Sequence, residues 1–215
     1  MSADLPSSNT TPAAQLHLTS RFTAAIEYAR HIHIERRKGT GIPYMAHLLG
    51  VAAMVMGESG QVPFPVTEDM VLAAILHDAA EDHGGLLRLQ DIEGNFGANV
   101  ARMVDGLSDS LSENPSNKQS WTERKQAYID RLRHEPLDIQ LISVADKLYN
   151  ARAILEDYRQ AGPSVWNRFK RARNEQIWYF DQLLTVYRSC ATNRIVEELS
   201  RVIEDLRQIS AAEAG

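Results

Sequence analysis

Met70-Val71-Leu72-Ala73-Ala74-Ile75-Leu76-His77-Asp78-Ala79-Ala80-Glu81-Asp82 is the stretch on which the fold turns. Its first seven residues are apolar and mostly good helix formers. On a helix, residues four apart share a face, so His77 lies one turn below Glu81 and Asp78 one turn below Asp82. One imidazole and three carboxyls then crowd the end of an oily helix. Acids at a helix C-terminus face the negative end of its dipole. A divalent cation would offset that cost; a solvated acidic helix end is the plainer alternative.

The same helical spacing recurs on both sides. Residues 16–38 repeat apolar positions at helical intervals and end in Glu35-Arg36-Arg37-Lys38 before Gly39, a stop signal. Pro43 starts a second helix to about residue 59, and Thr67 caps the helix that holds the opening stretch. Short helices are expected at 87–93 and 99–107, with a turn at 94–97 between them. Residues 108–120 are polar and read as a mobile loop, either a lid or a plain connector. Residues 121–134 are amphipathic. Pro136 opens a helix whose centre, Ile139 to Ala145, is apolar nearly all round, and Gly162-Pro163 ends it. A long helix over 165–189 follows, then a last one capped by Asn193 and reaching about 209. No period-two strand pattern and no internal repeat stands out. The expected fold is all-α: one compact multi-helix domain over 16–210 with short loops, preceded by a disordered tail at 1–15.

Size and composition narrow the function. The chain has 215 residues, room for one sizeable core. A net charge of -5 argues against broad nucleic-acid binding. No apolar run approaches the length of a membrane span. The single cysteine, Cys190, excludes an intramolecular disulfide and fits a reducing, cytoplasmic setting.

Three segments each place His or Asp at an apolar helix boundary: His47, then His77-Asp78, then Asp146. Two imidazoles and two carboxylates suit a divalent ion with open positions. The oxygen-rich set favours Mn²⁺, with Fe²⁺, Zn²⁺ or Co²⁺ as alternatives. Taken singly, His47 reads as a packed or capping residue. Asp146 reads as the partner of Lys147, Asn150 or Arg152.

Together the segments resemble the HD superfamily of metal-dependent phosphohydrolases. The likeness is closer to the hydrolase domain of the RelA/SpoT family and its stand-alone relatives, the small alarmone hydrolases. It rests on Arg37-Lys38-Gly39-Thr40-Gly41-Ile42-Pro43-Tyr44-Met45-Ala46-His47, on His77-Asp78-Ala79-Ala80-Glu81-Asp82 and on Ala145-Asp146-Lys147-Leu148-Tyr149-Asn150. Glu123-Arg124-Lys125 also recurs, and the match runs from about residue 20 to 190. The resemblance implies that His47, His77, Asp78 and Asp146 hold the metal. Glu81 and Asp82 would orient and deprotonate the attacking water or serve the leaving group. Arg37, Lys38 and Asn150 would contact the nucleotide, with Arg37 stacked on the base, and Arg173 would meet phosphates. His83 stands where the family often has Thr.

The implied reaction is hydrolytic removal of the 3′-diphosphate from (p)ppGpp or (p)ppApp, releasing pyrophosphate. A bound divalent ion lowers the pKa of water and neutralises phosphoryl charge. Two alternatives stand beside it: an HD phosphatase acting on NADPH or a nucleoside monophosphate, and a non-catalytic nucleotide-binding module. The expected partner is a small-molecule nucleotide, with no nucleic acid and no membrane. Monomer and dimer are both open.

Overall fold

A computed structural model describes residues 15–109, 120–169, 171–190 and 194–211. Its regular elements are α-helices: α1 Ser20–Ile32, α2 Met45–Gly57, α3 Glu68–Leu76, α4 Ala79–Asp82, α5 Gly85–Phe96, α6 Ala98–Leu107, α7 Trp121–Leu132, α8 Leu137–Ala161, α9 Arg173–Cys190 and α10 Arg194–Ala211. A 3₁₀ turn at Gly162–Arg168 follows α8. No strand occurs among the described residues beyond one isolated bridge, Arg36 to Pro43. The all-α expectation holds. No described helix is long and apolar enough to cross a membrane.

The opening stretch is the centre of the core. Met70 to Leu76 are all buried, and α3 packs on α1, α2, α6 and α8. Leu72, Ile75 and Leu76 are fully buried, each worth roughly 1.5–3 kcal/mol of transfer free energy. Thr67 caps α3 by accepting from the Met70 amide at 3.4 Å. α8 runs beside it with Ile139, Leu141, Ile142, Val144 and Ala145 buried. Polar groups inside this layer are paired: the Ser143 hydroxyl bonds those of Tyr128 at 2.8 Å and Tyr187 at 2.7 Å. α7 begins with a full capping box between Ser120 and Glu123.

Several boundaries differ from the sequence reading, each for a visible reason. α1 stops at Ile32, because the chain from His33 folds back on itself. The Arg37 amide donates to Ile42 O at 2.8 Å and the Tyr44 amide to Glu35 O at 3.0 Å. Gly39 turns this loop at φ 73°, beside the Arg168 side chain. Arg36, Arg37 and Lys38 therefore sit on a loop and not on a helix end. Residues 94–96 continue α5 in place of the expected turn, which is confined to Gly97. The long helix expected at 165–189 is broken, since Phe169 is extended (φ -96°, ψ 145°) after the 3₁₀ turn. Trp166 there packs on Tyr158 and Phe169.

The break that matters most lies at His77-Asp78. The imidazole Nδ1–H of His77 donates to Ala74 O at 2.9 Å, the acceptor that the Asp78 amide would use in a continued helix. The chain turns, and Asp78 becomes the residue before α4. Glu81 and Asp82 belong to this new turn and not to the last turn of α3, so the expected dipole penalty is not imposed by α3. The tail at residues 1–14, most of the 108–120 loop and the Asn193 cap fall outside the described residues.

Candidate active site

Four side chains meet where α2, the α3–α4 corner and α8 converge. His47 comes from the first turn of α2, His77 and Asp78 from the corner, and Asp146 from the middle of α8. His47 Nε2 is 3.3 Å from His77 Nε2, 3.4 Å from Asp78 Oδ2 and 3.3 Å from Asp146 Oδ1. His77 Nε2 is 3.0 Å from Asp78 Oδ2 and 3.8 Å from Asp146 Oδ1. Donors sharing one ion at about 2.1 Å stand roughly 3.0 Å apart at right angles and roughly 3.4 Å apart at the tetrahedral angle. The observed spacing fits that requirement. Two ring nitrogens 3.3 Å apart also need a proton or a cation between them. The Ala74 carbonyl fixes the His77 ring so that Nε2 faces the cluster. The rings of His47 and His77 are buried, which removes the competing water shell.

The ion pair weighed for Asp146 exists together with this arrangement. Its Oδ2 accepts from Lys147 Nζ at 2.5 Å, and its Oδ1 accepts from Asn150 Nδ2 at 2.5 Å while facing the imidazoles. Burial opposes the ionised form of both acids. The His77 and His47 rings outweigh it at Asp78, and Lys147 and the same rings outweigh it at Asp146, so both carboxyls stay ionised well below the usual range. Burial likewise opposes a charged His77, but Asp78 and Asp146 raise it to about 9 in the absence of a cation. Tyr44 donates its hydroxyl to Asp78 Oδ2 at 2.6 Å. Burial and the adjacent Asp78 keep that phenol protonated.

Glu81 and Asp82 part company. Glu81 lines the same polar cavity of about 130 Å³ as the four donors. It opens to that cavity but is hemmed in by protein. Confinement and the Asp109 carboxylate push it up to about 8. The Asp109 amide donates to Glu81 Oε2 at 2.9 Å, and the Asp109 carboxylate binds Arg124 at 2.7 Å and Lys125 at 2.6 Å. Asp82 does not line the cavity. It faces Asp78, His83 and Glu35; crowding by the surrounding protein and the Asp78 charge raise it to about 6.

A cleft of about 750 Å³ adjoins the polar cavity. Tyr44, Lys125, Lys147, Asn150 and Tyr179 line both, so one space opens into the other. Its volume falls in the range of roughly 300–1,000 Å³ usual for small-molecule sites. Arg37, Lys38 and Asn150 lie on its wall; Arg173, at the start of α9, is not among its lining residues, and Arg168 is. Arg37 Nη2 donates to Asn150 Oδ1 at 2.8 Å, and its guanidinium carbon sits 5.9 Å and 5.6 Å from the Tyr44 and Tyr149 ring centroids. A single hydrogen-bonded line thus runs from Arg37 through Asn150 to Asp146.

The HD domain family matches residues 25–178. The chain belongs to the HD-domain family. Two HD-domain relatives are the guanosine-3′,5′-bis(diphosphate) 3′-pyrophosphohydrolases MESH1 of Mus musculus and Homo sapiens. The first is 31% identical over 84% of this chain and 92% of its own length, the second 31% over 86% and 90%. The solved structure of a metazoan ortholog of SpoT shares the HD fold, with a TM-score of 0.70 and 24% identity over 87% of this chain and 96% of that one. The family brings with it a candidate divalent-metal centre, and in this HD domain the donors that could form one are His47, His77 and Asp78 with Asp146 beside them.

Sequence reasoning missed Asp109, which ties Glu81 to two cations from 28 residues away. No periodic spacing links a loop residue to a helix across that distance. In the sequence Lys147 and Tyr44 stand out only as neighbours of Asp146 and His47. Their flanking positions, directly after Asp146 and one turn before His47, were the available signal.

Proposed function

We propose that this protein hydrolyses the 3′-diphosphate of (p)ppGpp or its adenine counterpart (p)ppApp, releasing pyrophosphate, with Mn²⁺ as the working ion. The carrying observation is the convergence of His47, His77, Asp78 and Asp146 at the end of a nucleotide-sized, cation-lined cleft. The names of the MESH1 relatives support the substrate class. Residues 16–210 act as one hydrolase domain, and the lone cysteine supports a cytoplasmic setting.

His47, His77, Asp78 and Asp146 would hold the ion. When bound, it supplies Lewis acidity at the phosphoryl group and a lowered pKa for water. Glu81 accepts the proton of the attacking water, a task suited to a carboxylate whose pKa lies near the working pH. Asp109 holds Glu81 in place through its amide. Asp82 stands outside the cavity and acts on it through its charge beside Asp78, while Glu81, once protonated, can return its proton to the departing 3′ oxygen. Lys125 and Lys147, at the junction of cavity and cleft, balance the charge of the 3′-diphosphate under attack. Arg37, Lys38 and Asn150 hold the nucleotide, Arg37 through its guanidinium plane, with Arg173 at the start of α9 meeting phosphates and Arg168, paired with Asp157, on the cleft wall.

The test incubates purified protein and Mn²⁺ with ppGpp, pppGpp, ppApp, NADPH and nucleoside monophosphates. Pyrophosphate release from the tetra- and pentaphosphates is expected. Binding of ppGpp without turnover, or phosphate release from NADPH alone, overturns the reading.

A further inference from the structure

A second cluster of metal-binding side chains lies outside the site just described. His33 closes α1, Glu35 lies two residues on in the loop, and His83 ends α4. One donor atom from each falls within 4.8 Å of the other two. His33 Nδ1 is 2.8 Å and His83 Nε2 3.3 Å from the same carboxylate oxygen, Glu35 Oε1. The other oxygen, Oε2, is buried with no hydrogen-bond partner among the described residues. Two imidazoles thus crowd one oxygen while its twin has nothing, a distribution that hydrogen bonding alone explains poorly. Two donors on one tetrahedral ion at about 2.1 Å stand about 3.4 Å apart, which the two Glu35 contacts already approach, so at most about 1.4 Å of movement between the imidazoles closes the set.

We propose that His33, Glu35 and His83 form a second divalent-metal site, a two-imidazole, one-carboxylate set suited to Zn²⁺. That donor set is one that zinc and other borderline divalent ions accept, with solvent filling the open positions. The His33 side chain is fully buried and held by stacking on Tyr44, ring centroids 5.0 Å apart and planes at 12°. Glu35 and His83 are about one-third exposed, which gives an ion a route in. Asp82 is within electrostatic reach and adds negative charge. The ion would fasten the loop that carries Arg37 and Lys38 to the α4 corner, because the Glu35 carbonyl already accepts the Tyr44 amide at 3.0 Å. It would stand one side chain behind the first cluster: Tyr44 stacks on His33 with its ring and donates to Asp78 with its hydroxyl.

The test uses full-length protein stripped by chelator, then dialysed against Zn²⁺ and analysed for bound metal. No substrate enters it, so its outcome is independent of the nucleotide reading. Wild type should hold two equivalents per chain, the double variant H77A/D78A one, and the triple variant H77A/D78A/H83A none. E35Q, which keeps the side-chain shape, should hold one equivalent, as should H83A. Far-ultraviolet circular dichroism checks that each variant is folded; His83 is partly exposed and its removal leaves the core intact. One equivalent in wild type, no equivalent in H77A/D78A, or two equivalents retained in both H83A and E35Q overturns the proposal.

Discussion

Asp146 and Glu35 are two carboxylates that each face a pair of imidazoles, yet they are mounted differently. Asp146 sits in the middle of a 25-residue helix, its side chain 8% exposed, with Lys147 and Asn150 fixing both oxygens. Glu35 sits on a loop, 36% exposed, with one oxygen crowded and one idle. The first arrangement holds its donors to one fixed geometry, and the helices around it are the core itself. The second joins a loop to a corner and tolerates movement. In the roles proposed for them, rigid mounting goes with reaction and loose mounting with fastening.

The comparison breaks if Asp146 proves dispensable. Asp146→Asn should remove one metal equivalent and cut pyrophosphate release by about 10³-fold, the cost of several kcal/mol of electrostatic stabilisation. Elemental analysis and initial rates check this, and a variant that keeps the metal and the rate contradicts it.

Glu81→Gln sharpens the division of labour. Metal content should be unchanged, while kcat falls by about 10²–10⁴-fold, the usual worth of a positioned base. Loss of metal in this variant would move Glu81 into the ligand set. Arg37→Ala should lower kcat/KM by roughly 10–100-fold, mainly through KM, since a charge-assisted hydrogen bond is worth about 1.5–3 kcal/mol. Steady-state kinetics separates the two parameters.

Gly50→Ala probes the mounting itself. A Cβ there would lie 2.1 Å from the Tyr149 ring, so α2 and α8 could no longer approach beside His47. Overpacking of this kind costs about 1–3 kcal/mol. A fall in Tm of several degrees is expected by calorimetry, with weaker metal binding; an unchanged Tm would show that the ring simply turns away.

The smallest effect concerns pH. Glu81 has a raised pKa in the folded protein, so the folded chain keeps a proton that the unfolded chain has released above its ordinary value of 4.5. Stability is therefore greatest at low pH and is lost as pH rises through the folded pKa. Metal-free wild type should lose Tm between about pH 5 and about pH 8, and Glu81→Gln should lose less. Equal slopes in the two proteins would remove confinement as the cause.

The metal-ligand candidates were legible because each interrupts an apolar run. A His-Asp pair after Met70 to Leu76, and an Asp after Val144-Ala145, stand out against their surroundings. The all-α class was legible from the same periodicity. The end of α1 was not, because Arg36, Arg37 and Lys38 suit a helix terminus and a phosphate-facing loop equally well. The corner at His77 was hidden too: it depends on a ring competing with an amide for Ala74 O, which no spacing rule registers. The Glu81–Asp109 tie and the Glu35–His83 contact join residues 28 and 48 apart, and only folding brings them together.

Arg37 is already stationed before any ligand arrives. Its guanidinium is hydrogen-bonded to Asn150 and flanked by two tyrosine rings. A free arginine would surrender up to about 2 kcal/mol of rotamer freedom on gripping an incoming molecule. Here most of that ordering is completed during folding, so in the proposed nucleotide-binding role the surface has little left to rearrange.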